Sequence, residues 1–204
     1  MSHKNIRFAS RWLTTLAAIM TTAAALAATD EPTAQPDKNM AAAHKSFVKG
    51  DMDKASAQIH AAAEYVKKQS DKVASGSKAG VEKAGAELDK LGDDVKAGTV
   101  KSDAALKKAF AKTDRALADA WHQTAVAAKE SGKATTRALK QTGSALAGAA
   151  HWSGHKLSEG TQKSVDAVKS ATAASIKASK DSAKDVDGWL KDFGDGIKDL
   201  GAKL

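Results

Sequence analysis

There is no cysteine anywhere in the chain, and that absence alone removes several classes of protein. A disulfide framework, a thiolate metal site, a cysteine nucleophile and a lipid-bearing cysteine are all excluded. Aromatic residues are scarce at 4%, and proline occurs only twice, so neither an aromatic-rich core nor a proline-rich recognition segment is available. No run alternates β-branched and aromatic residues with polar ones, which leaves no candidate strand. The chain is 42% hydrophobic, but alanine supplies much of that share. Alanine forms helix readily and buries little surface, so the composition predicts an all-α protein with a lean core.

Recognisable catalytic chemistry is missing as well. The sequence holds no phosphate loop, dinucleotide fingerprint or nucleophile elbow. Ser46-Phe47-Val48-Lys49 has the serine–lysine spacing of some acyl-transfer enzymes, but no Ser-Asp-Asn or Lys-Thr-Gly accompanies it. Asp185-Val186-Asp187-Gly188 resembles part of a calcium loop. Setting Gly188 at the loop's sixth position puts Ala183 first and Gly194 last, where carboxylates are required. These gaps argue against an enzyme and call for no cofactor.

The N-terminus is informative. Lys4, Arg7 and Arg11 form a basic start, Trp12 to Leu26 an apolar run, and Ala25-Leu26-Ala27 a small-residue cleavage site. That order is the order of a secretory signal peptide, so residues 1–27 are read as one, cut near Ala27. Subtracting its three cations from the formal +8 leaves a mature charge of +5. The expected destination is the periplasm or the medium.

The mature chain divides into a flexible leader at 28–37, a helical bundle at 38–150 and an extension at 151–204. The bundle is predicted to be small and antiparallel, with one long central helix. In that stretch, from Ser102 to Ala150, Leu106, Phe110, Leu117, Trp121, Leu139 and Leu146 recur at helical spacing. Shorter helices precede it: Met40, Ala43, His44 and Phe47; then Met52, Ala55, Ile59, Ala62 and Val66; then Val81, Ala84, Leu88, Leu91 and Val95. Gly80, Gly85 and Gly92 interrupt the third, either weakening it or letting a neighbour come close. Phe47 to Asp51 with Ala55 and Ile59 is similar to half of a tetratricopeptide unit. The pattern does not return about 34 residues on, so nothing follows from it beyond a helix hairpin.

The extension is low in complexity until a last amphipathic helix, weakly ordered because Gly188, Gly194, Gly196 and Gly201 oppose it. Val186, Trp189, Leu190, Phe193, Ile197, Leu200 and Leu204 form its apolar side. This side is the candidate surface for a protein partner, for self-association or for a membrane, unless the helix docks back on the bundle and supplies its missing bulk. His44, His60, His122, His151 and His155 are candidate metal ligands if the bundle gathers them. Nucleic acid binding is disfavoured because acids alternate with the lysines, as in Glu82-Lys83, Asp89-Lys90 and Lys180-Asp181. The expected function is therefore that of an exported, non-enzymatic α-helical protein acting through its surface, in envelope stress, holding or adaptor work. Membrane-surface lipid binding by the last helix and histidine-based metal binding are the alternatives.

Overall fold

The computed structural model describes residues 34–129, 131–171 and 180–204. The stretch read as a signal peptide, most of the leader and residues 172–179 of the low-complexity extension lie outside them. Among the described residues the chain is all-α, built from seven helices packed on one another. No helix among them is long and apolar enough to cross a membrane.

Helix α1 (Ala34–Val48) starts inside the stretch read as a leader. Pro36 and Asp37 suit a first turn, proline because its missing N–H is not needed there and aspartate because it meets the helix dipole. Gly50, at φ +79°, turns the chain, and the Asp51 side chain accepts from Lys54 N (3.2 Å) to cap α2 (Met52–Gln69). Two short 3₁₀ turns lead to α3 (Lys78–Lys96). They are pinned to the far end of α4, where Ala74 N donates to Thr124 Oγ1 (2.8 Å) and Ser77 Oγ to Gln123 Oε1 (2.8 Å). Two of the three α3 glycines serve close approach. Gly85 leaves room for the Lys67 stem of α2, and Gly92 for the His60 ring.

The stretch expected to be one long central helix is two: α4 (Asp103–Ala127), capped by Ser102, and α5 (Gly132–Ser153). Ser131 N turns back onto Ala128 O (2.7 Å), and the Thr135 hydroxyl bonds that same carbonyl. Gly132 makes continuation of the helix costly at this point. The larger cause is burial. A straight helix would present its stripe along a single side, whereas the hairpin lets the two halves cover each other. Phe110 meets Trp152 edge-on, ring centres 5.0 Å apart, across that seam. Trp121, only 2% exposed, is buried as the stripe requires.

Helix α5 runs through Ala150, the boundary read from sequence, and ends at Gly154 in the left-handed conformation. Ser158 caps α6 (Glu159–Ser170), and α7 (Lys180–Lys203) returns across α4, α5 and α6. Val165, Val168, Val186, Leu190, Phe193, Ile197 and Leu200 join the same hydrophobic core as Ile59, Leu106 and Leu146.

Candidate functional site

The residues nominated as a partner or membrane surface face inward. Val186, Leu190, Phe193, Ile197 and Leu200 are buried, and Trp189 and Leu204 are half-buried against the core. Polar contacts fix the register of α7. His122 of α4 bonds Leu190 O (2.9 Å), Thr161 of α6 donates to Asp192 O (3.1 Å), and Arg115 Nε of α4 donates to Ile197 O (3.3 Å). Each of those carbonyls lies four residues before a glycine: Gly194, Gly196 and Gly201. In a helix the side chain at that position stands beside the carbonyl, as shown by Thr113, Thr124 and Thr142, whose hydroxyls bond the carbonyl four residues back. Glycine leaves the carbonyl's second lone pair open to a neighbouring helix. Of the four glycines that oppose helix formation, Gly196 and Gly201 are the ones whose bareness seats it, since a Cβ at either would lie 2.7 Å from the bonding side chain.

The histidines do not converge. His44 of α1 bonds Asp103, and His60 of α2 bonds Asp89 (2.9 Å) and lies 3.3 Å from Asp93. His122 serves α7, His151 stacks edge-on with Trp152, and His155 follows α5 in the loop. Among the described residues, no three His, Cys, Asp or Glu side chains gather to hold a metal ion. Asp89 shows how the α2–α3 seam is clamped. Burial raises its carboxyl, but hydrogen bonds from His60 and Lys67 outweigh burial and hold it below the ordinary value.

Sequence reasoning missed a pair of carboxyls, one buried and one half-buried. Asp114 of α4 is 1% exposed and meets Asp37 of α1 beneath α5. Burial first, then the Asp37 charge and the hydrogen bond Asp114 gives it, push the Asp114 carboxyl well above the carboxylate range. Burial also raises Asp37, partly offset by the bond it accepts and by His151. In sequence, Asp114 looks like one more acid of a mixed-charge helix. Only its place on the stripe side, four residues after Phe110, hinted at burial.

A concave feature among the described residues lies between α3 and α4. Small residues on the facing sides, Gly80 and Ala84 against Ala105, Ala109 and Ala116, leave two adjoining cavities of about 290 and 310 Å³. Leu88 lies at the floor, and Gly201 and Leu204 of α7 close one end. Lys83, Lys108, Lys112 and Arg115 line this groove against a single acid, Glu87. Lys83 lies 3.9 Å from Glu87, and Arg115 is spent on α7. Lys108 and Lys112 are exposed, with no ion-pair partner among the described residues. Such an arrangement attracts anions and offers an apolar strip beneath them.

Comparison with protein-family models, with curated proteins and with solved structures returns no match, so the chain's own geometry carries the functional reading.

Proposed function

We propose that this protein is exported and works by binding rather than by catalysis, in an adaptor or holding role, with the groove between α3 and α4 as its seat for an acidic partner protein. The observation that carries this reading is the excess of four cations over one acid around an alanine- and leucine-lined floor. Charge-led recognition is favoured over capture by an apolar patch. Among the described residues, Val48 and Val126, at 64% and 50% exposure, are the large hydrophobics left open, and scattered single residues form no patch. A membrane role for α7 has less support, since its apolar face is engaged by its own bundle and would have to leave it.

A photo-crosslinking residue at Ala105, in the groove, and a second at Ala57, on the exposed side of α2, test the proposal in cells. The expected result is a discrete adduct from the Ala105 position alone, lost when Lys108→Glu and Lys112→Glu are added. Its yield should fall as salt rises, because exposed charges are screened within about 10 Å at 0.1 M. Equal labelling at both positions, or none at Ala105, overturns the proposal.

A further inference from the structure

Helix α1 is held by two different kinds of contact. Toward α2 it is joined by the Gly50 turn, lies close along much of its length, and buries Met40, Ala43 and Phe47 in the common core. Toward α4 and α5 the interface is smaller, and it includes two ionisable side chains of α1, His44 and Asp37. His44 bonds Asp103 of α4 and sets its ring edge-on to Trp152 of α5, centres 5.8 Å apart. Asp37 meets Asp114 of α4.

One oxygen of each carboxyl lacks any other partner among the described residues. Asp37 Oδ1 and Asp114 Oδ2 are both fully buried, and no donor from another described residue reaches either. They converge over the bare backbone of α5 at Gly148. A Cβ there would lie 2.5 Å from Asp114 Oδ2 and 2.9 Å from Asp37 Oδ1. Two carboxylates confined in this way cannot both be charged, and a single proton turns their repulsion into a hydrogen bond.

We propose that the proton shared by Asp37 and Asp114 is a latch on the first helix: while it is held, α1 lies closed over Phe110 and Trp152, and its loss in alkaline solution lets the start of α1 lift from α4 and α5. Other ionisable groups at this seam are His44 of α1, His151 of α5, and Asp103 and Lys107 of α4. The charge interaction with His151 on α5 favours the ionised form of Asp37. On the α1–α4 side, His44 bonds Asp103, which Lys107 also holds. Helices α4 and α5 face each other along their full length through Leu106, Phe110, Leu117, Leu139 and Leu146, so repulsion at the pair is relieved at α1.

Hydrogen exchange of the full chain from pH 5 to pH 9, each rate divided by the intrinsic rate at that pH, tests the latch. In the wild type, protection of residues 34–48 should fall about tenfold across the range while residues 134–150 keep theirs. Asp114→Asn carries an amide that donates to Asp37 at every pH, so its protection should be flat. Asp37→Asn gives the same test should Asp114→Asn fail to fold. Three results overturn the proposal: a flat wild type, a fall that persists in either variant, or equal loss of protection at 134–150.

Discussion

Asp114 and Asp37 should make stability depend on pH in the opposite sense to ordinary paired carboxylates. Their pair retains a proton in the folded state at pH values where an unfolded carboxyl, with a pKa near 3.9, has lost it. The folded state then binds more protons than the unfolded one, so stability declines as pH rises from about 4 toward the folded value. Asp89 and Asp103 work the other way. Asp89 is held down by His60 and Lys67 against its burial, and Asp103 by Lys107 and then His44. Their stabilising effect is present above the unfolded carboxylate value and is lost as pH falls through their folded values. Urea midpoints should therefore peak in mildly acidic solution. Asp114→Asn should flatten the alkaline limb, gaining about 1.4 kcal/mol for each unit by which the folded pKa exceeds the unfolded one. A wild-type midpoint that climbs from pH 6 to pH 8 contradicts the assignment. The glycines of α7 separate just as clearly. An added Cβ at Gly188 meets nothing within 4 Å, and one at Gly194 meets His122 at an ordinary 3.6 Å. Alanine at either position should stabilise by up to ~1 kcal/mol through helix propensity. At Gly196 the same Cβ falls 2.7 Å from Thr161 Cγ2, so Gly196→Ala should cost about 1–3 kcal/mol and separate from the other two in thermal melts.

Helices α4 and α5 owe their pairing to burial more than to propensity, and Trp152 is a large piece of it. The indole is 6% exposed and contacts the rings of Phe110, His44 and His151. Trp152→Ala should cost about 3–5 kcal/mol, read as a shift in the denaturant midpoint, and should loosen α1 more than α6. The groove between α3 and α4 behaves differently. Lys108 and Lys112 are exposed and support no neighbour, so Lys108→Glu with Lys112→Glu should move stability by no more than about 0.5 kcal/mol each. Loss of binding without loss of melting temperature would separate a partner surface from a structural one.

Helix α7 joins the core that the first six helices build. Phe193 faces Gly143 and Val165, and Leu190, Ile197 and Leu200 extend the same apolar contact. Each such side chain contributes roughly 1.5–3 kcal/mol of burial, and together they rival the 5–15 kcal/mol by which a domain is stable. A chain ending at Ser179 should therefore lose its sharp calorimetric transition. A truncated protein that still melts cooperatively near the full-length temperature would mean that α7 is a removable cover.

Composition and periodicity by themselves settled the all-α class, the positions of most helices, the burial of Trp121 and the apolar side of α7. These depend on local propensity and on a 3.6-residue repeat, both written along the chain. The hairpin at Ser131-Gly132 was not legible, because the stripe on either side keeps one period and only the gain from mutual burial breaks it. The inward facing of α7 was left open for a related reason: an amphipathic helix has the same pattern whether its apolar side meets a bundle, a bilayer or another protein. Nor could the sequence mark Asp37 and Asp114, far apart in the chain and each unremarkable among many acids. Tertiary packing over Gly148 made them a pair, because only folding removes the water that would otherwise keep both charged.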